Sequence, residues 1–135
     1  MIVIDCCAAV EIAKKTARGN ALRTLMMNGE EAIAPDLFAC EVANTAWKLC
    51  SFGHKNIDEG RRLAKSALAQ VDDLVPTNEY YEEAFTEACR YGHPVYDFFY
   101  LLLAKRNNAT LFTVDKKLVA LCEEMGVNVV AEIDF

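Results

Sequence analysis

The chain opens Met1-Ile2-Val3-Ile4-Asp5-Cys6-Cys7, and the reading of these residues decides the fold. A short apolar run ends in an acid, and the stretch from Cys6 to Lys15 reads as a helix leaving it. The arrangement returns near the other end. There the β-branched run Thr110 to Val114 ends at Asp115, Lys116 to Met125 reads as a helix stopped by Gly126, and Val127 to Val130 gives a last strand. Working inward, a second helix runs from about Asn20 to Met27 and stops at Asn28-Gly29, and Ala32 to Pro35 is long enough only for a brief strand. Pro35-Asp36 opens a helix over Leu37 to Phe52, closed by Gly53, on which Glu41, Asn44, Thr45 and Lys48 share one face. Asn56 with Glu59 resembles a capping box and starts a helix to about Leu74. After Val75-Pro76 comes a helix from Thr77 to Tyr91 stopped by Gly92, and after His93-Pro94 the highly apolar segment Val95 to Ala104. Short apolar strands separated by helices imply an α/β sandwich with a mainly parallel sheet buried on both faces. Ligand sites in such folds lie beyond the carboxyl ends of the strands, where Asp5 and Asp115 both stand.

At 135 residues the chain has the size of one domain, taken as 1-135. With 53% hydrophobic and 25% charged residues it can build a core and is not disordered by composition. The first residues carry no basic leader, and no apolar stretch approaches a membrane span, so a soluble, untargeted, cytoplasmic protein without a membrane partner is expected. Cys6, Cys7, Cys40, Cys50, Cys89 and Cys122 then read as reduced thiols. No CxxC pair is present, and His54 and His93 stand isolated in the sequence, which leaves a structural zinc site little support. The formal net charge of −6 opposes broad electrostatic binding of nucleic acid, so any such role must be local or metal-assisted.

Four acids carry the functional reading. Asp97 interrupts Val95-Tyr96-Asp97-Phe98-Phe99-Tyr100-Leu101-Leu102-Leu103-Ala104, a segment apolar on nearly every side. An unpaired carboxylate there costs several kcal/mol or more, on the order-of-magnitude desolvation argument, so it calls for an Arg, a Lys or a metal ion. The plain alternative is that Asp97 caps its helix. Asp5 and Asp115 each sit between a strand and a helix and taken singly read as N-caps, and Glu41 taken singly reads as surface, although Ala39, Cys40, Val42 and Ala43 suggest partial burial. Together they offer more. Two strand-end acids facing acids from helices supply an all-oxygen cluster suited to Mg²⁺ or Mn²⁺.

In these residues the chain resembles the PIN domains, and more narrowly the VapC-type toxins of toxin–antitoxin pairs. The resemblance covers essentially the whole length. It is carried by Ile2-Val3-Ile4-Asp5, by Cys40-Glu41-Val42-Ala43-Asn44, by Tyr96 to Ala104, and by Thr113-Val114-Asp115-Lys116-Lys117-Leu118. It implies a three-layer α/β/α sandwich whose sheet has about four or five strands, the first and fourth being neighbours at the topological switch point. It implies that Asp5, Glu41, Asp97 and Asp115 bind Mg²⁺ or Mn²⁺, with Thr113 as the hydroxyl residue accompanying the last acid. Cys7 departs from the pattern, since many relatives carry Ser there and a thiol is a weaker donor.

The activity implied is endoribonuclease cleavage of RNA by a metal-activated water. An antitoxin protein and a homodimer are the implied partners. Lys48 and Lys116 are the preferred contacts to the RNA backbone. Lys14, Lys15, Arg18 and Lys117 are further basic residues that would flank the pocket unless they are ordinary solvated surface. Two other readings stand beside this one. One is a non-catalytic PIN module that binds RNA or a partner protein, its acids serving as caps. The other is a receiver-like phosphoacceptor domain, disfavoured because Cys6-Cys7 rather than further acids follow Asp5.

Overall fold

A computed structural model describes residues 1–26 and 29–130. Its elements are β1 (Ile2–Ile4), α1 (Cys6–Lys14), α2 (Ala17–Met26), β2 (Ala32–Pro35), α3 (Leu37–Phe52), α4 (Ile57–Leu68), β3 (Asp73–Val75), a 3₁₀ turn (Thr77–Glu79), α5 (Tyr81–Tyr91), α6 (Tyr96–Arg106), β4 (Thr110–Phe112), α7 (Lys116–Met125) and β5 (Val129–Val130).

The five strands described make one sheet in the order β3-β2-β1-β4-β5, with every pairing parallel. The chain walks outward through β1, β2 and β3, then returns to lay β4 against the other side of β1, with Ile4 opposite Phe112. Because parallel crossovers are right-handed, the reversal of direction sends the helices of the two halves to opposite faces of the sheet. α1 accordingly packs on α2 and α4, while α6 packs on α5 and α7. The result is the three-layer sandwich expected. Its switch point lies between β1 and β4, the strands that end beside Asp5 and Asp115.

The apolar segment around Asp97 finds its explanation in this layering. α6 touches β1, β2 and β4, so it runs across the middle of the sheet, and Leu101, Leu102, Leu103 and Ala104 are all buried. Phe38 and Val42 of α3 and the whole of β1 complete the core beneath it.

Several expected boundaries shift, three of them by more than two residues. The helix begun by Asn56 ends at Leu68, not Leu74, and Asp73–Val75 forms the edge strand β3 instead. Asp72 secures that edge: its N–H donates to the carbonyl of Ala32 at 2.8 Å, and its carboxylate accepts from the N–H of Ala32 at 2.8 Å. A strand so short, with two acids beside it and little burial, carries no alternation to mark it. The segment after Pro76 is a 3₁₀ turn that breaks at Tyr80, with α5 starting at Tyr81. α2 begins at Ala17 instead of Asn20, held by the Thr16 hydroxyl, which accepts from the N–H of Gly19 at 3.0 Å. Its expected end at Met27 and Asn28 lies outside the described residues. None of the six cysteines is bridged, and among the described residues no helix is long and apolar enough to cross a membrane.

Candidate active site

Asp5 follows directly on β1 and caps α1, its Oδ1 accepting from the N–H of Ala8 at 2.9 Å. Its Oδ2 accepts from the hydroxyl of Thr113, a fully buried residue just beyond β4. The same hydroxyl accepts from the N–H of Asp115 at 3.0 Å, so its own proton is committed to Asp5. Asp115 in turn caps α7, its Oδ1 accepting from the N–H of Lys117 at 2.9 Å. The cap reading of these two acids therefore holds, and it does not compete with a site: capping uses one face of each carboxylate and sets its direction.

Asp97 and Glu41 arrive from opposite layers. Asp97 lies in the first turn of α6 and is not its cap, since Val95 occupies that position without any side-chain capping bond. Its Oδ2 stands 3.4 Å from Nε2 of His93, one turn earlier. The side chain closest to this acid is thus a histidine, which the sequence reading, with an Arg, a Lys or a metal ion in view, did not name. Glu41, in the second turn of α3, accepts through Oε1 from the Tyr100 hydroxyl at 2.5 Å.

The four acids lie within one another's fields. Burial drives the Asp5 carboxyl up to about 7, and the charges of Asp115 and Glu41 push the same way, against the hydrogen bonds from Thr113 and Ala8. Burial also raises Glu41, with Asp97 adding to it, and raises Asp97, with Asp115 adding to it. The repulsions of Asp115 and Glu41 on Asp5, of Asp97 on Glu41 and of Asp115 on Asp97 link the four acids at the carboxyl edge of the sheet. Among the described residues Glu87 Oε2 is the one buried side-chain oxygen without a partner. The second oxygens of Glu41, Asp97 and Asp115, which have no hydrogen-bond partner, are accordingly open to solvent.

As placed, no three His, Cys, Asp or Glu side chains among the described residues are gathered closely enough to hold a metal ion. The donor set nevertheless suits a hard divalent cation: every available ligand is a carboxylate oxygen, and the mutual repulsion is what such a charge would relieve.

The basic residues separate into two groups. Lys117 lowers Asp97 through its charge, whereas Lys116 beside it, like Lys48 on α3, is an exposed side chain without an ion pair among the described residues. Lys14 lies at the far end of α1, about 13 Å along its axis from Asp5 at 1.5 Å per residue. It lines a separate cleft of about 650 Å³ with Lys55, Glu59 and Arg62, and so does not flank the acids. Cys7 is exposed and makes no hydrogen bond to them; desolvation and then the charge of Asp5 push its thiol up to about 12. Phe98 and Tyr100 are buried core residues, while Tyr96 is exposed.

Tyr100 and His93 are the two polar contacts that sequence reasoning passed over. Spacing could have pointed to Tyr100, three residues after Asp97 on the same helix, whereas His93 precedes that helix and carried no such signal.

Comparison with known proteins agrees with this architecture. The family model described as PIN domain matches residues 2–124. Ribonuclease VapC3 of Pyrobaculum aerophilum is 28% identical over 120 residues, spanning 87% of this chain and 91% of its own length. The crystal structure of PAE2754 from Pyrobaculum aerophilum superposes with a TM-score of 0.69 at 21% identity, covering 88% of this chain and 82% of that one. A structure of VapBC2 from Rickettsia felis, bound to a DNA fragment from its promoter, gives a TM-score of 0.65 at 16% identity, covering 98% and 100%. Both structures share the fold built above. With the match extending over nearly all of its length, this chain belongs to the PIN domain family.

Proposed function

We propose that the chain is a divalent-metal-dependent endoribonuclease, the toxin of a VapBC-type toxin–antitoxin pair, in which Asp5, Glu41, Asp97 and Asp115 hold Mg²⁺ or Mn²⁺. The observation that carries the reading is the grouping of acids at the switch point, with burial and the neighbouring carboxylates raising Asp5, Glu41 and Asp97, a costly arrangement for a protein that leaves it without a counter-charge. A bound ion would lower the pKa of a water and stabilise charge on the scissile phosphate.

The side chains divide the remaining work. Thr113 keeps Asp5 oriented and Asp5 in turn caps α1, so the most buried acid is fixed before any substrate arrives. Glu41, Asp97 and Asp115 contribute the oxygens that face solvent. Lys48 and Lys116, joined by Lys117, are the residues assigned to the RNA backbone, where the net charge of −6 makes local cations necessary. An antitoxin partner is supported by the VapC3 name of the relative and the VapBC2 title of the structural neighbour. A homodimer and a cytoplasmic location belong to the same reading.

The rival is a non-catalytic PIN module. The cap bonds of Asp5 and Asp115 favour it, but it does not account for two further half-buried acids, Asp97, which caps nothing, and Glu41, placed beside them. Incubating labelled RNA with Mn²⁺, with and without EDTA, beside Asp97→Asn separates the two. Cleavage that needs the metal and disappears in the variant supports the enzyme; cleavage surviving both controls, or none in any arm, rejects it.

A further inference from the structure

Tyr100 is 2% exposed, in the stretch of α6 that crosses the sheet, where a phenylalanine would meet every packing need. A buried phenolic hydroxyl requires a partner, and this one finds Glu41, 59 positions away on a helix of the other layer. The bond is charge-assisted and ties α3 to α6 at the level of the acids. A phenol keeps its proton near neutral pH, so the Tyr100 hydroxyl is the donor and the carboxylate the acceptor.

Glu41 needs such a donor more than its neighbours do. The carboxylates of Asp5 and Asp115 are each fixed by a backbone N–H. Glu41 has no backbone donor and a longer side chain, whose rotamer freedom on burial costs up to about 2 kcal/mol. Thr113 on Asp5 and Tyr100 on Glu41 are thus one device used twice: a buried hydroxyl that occupies one oxygen of an acid and sets the direction of the rest.

We propose that Tyr100 is a positioning residue for the metal site, its hydroxyl holding Oε1 of Glu41 so that Oε2 is the oxygen offered to the divalent cation. This rests on the metal-dependent reading above. Partners that orient ligands in this way typically contribute about 10- to 100-fold to metal affinity.

The test measures Mn²⁺ affinity of the full chain by electron paramagnetic resonance. Tyr100→Phe is expected to weaken binding by about 10-fold. In a Glu41→Gln background the same change is expected to cost nothing further, because it acts through Glu41. Tyr80→Phe is the control: the Tyr80 hydroxyl donates to the carbonyl of Phe99 at 2.8 Å, so its loss is expected to lower the melting temperature and leave affinity alone.

Wild-type affinity in Tyr100→Phe, or an equal loss in both backgrounds, overturns the proposal while leaving the nuclease standing. A wild-type chain that binds no Mn²⁺ overturns both. Should Tyr100→Phe not fold, the wild-type chain answers by proton NMR. A slowly exchanging phenolic proton retained at saturating Mg²⁺ supports the assignment, and its disappearance overturns it.

Discussion

Thr113, just beyond β4, gives its hydroxyl proton to the carboxylate of Asp5, just beyond β1, and takes the N–H of Asp115 in return. Removing that hydroxyl at constant shape, as in Thr113→Val, leaves a partly buried N–H without its acceptor and the buried Asp5 without its side-chain donor. A loss of about 1–3 kcal/mol in urea denaturation is expected. Thr113→Ser is expected to recover most of it, and a Thr113→Val as stable as wild type would show that the hydroxyl is dispensable.

Asp97→Asn separates activity from stability. Cleavage is expected to fall by at least the roughly 100-fold upper range seen for outer-shell partners, since a ligand matters more than its supports. The metal-free variant is expected to be at least as stable as wild type at pH 8, because one member of a repelling group becomes neutral. Calorimetry in EDTA beside a cleavage assay in Mn²⁺ reads both, and a marked loss of stability would mean that the carboxylate is structural.

The pH dependence follows from Asp5, whose carboxyl rises from 3.8 unfolded to about 7 folded. Between those values the native state holds more protons than the unfolded chain, so stability falls as pH rises through the window and levels off above it. The total is on the order of a few kcal/mol at most. Metal-free protein is therefore expected to be more stable at pH 5 than at pH 8, with Glu41 and Asp97 acting in the same direction. Asp5→Asn is expected to flatten the slope; an unchanged slope would remove Asp5 as its source.

On the proposed function divalent metal should reverse that trend, because it would bind the ionised acids of the native state. At a concentration 100 times the dissociation constant it adds about 2.7 kcal/mol. Thermal melts at pH 8 are expected to rise with Mn²⁺ and return with EDTA. The upward shift should be absent in a Glu41→Gln/Asp97→Asn double variant.

Gly19 bears on the scaffold alone. A Cβ there would stand 2.0 Å from the backbone oxygen of Glu11, so α2 could not keep its approach to α1. Gly19→Ala is expected to destabilise by about 1–3 kcal/mol, as overpacking does, with Mn²⁺ affinity of the folded fraction unchanged.

Much of this was legible before any coordinates, and the reasons differ by residue. β1 and β4 announced themselves because each is an apolar run ending in an acid that caps the next helix, a local signal. β3 did not: it is an exposed edge of three residues whose identity comes from pairing with β2, and helical pattern flowed into it from α4. The acids could be singled out as candidates, but their support could not. The donor to Glu41 is 59 positions away, and the imidazole beside Asp97 belongs to a turn that has no period of its own.

The position of β1 has a consequence for the order of assembly. Asp5 precedes its hydroxyl partner by 108 positions, and β4 cannot dock on β1 until the whole segment between them exists. Contacts so distant in sequence close late in folding. A nascent chain that holds Asp5 and Glu41 but not yet Thr113 and Asp115 has only part of the acidic group, which comes together after β4 has been made.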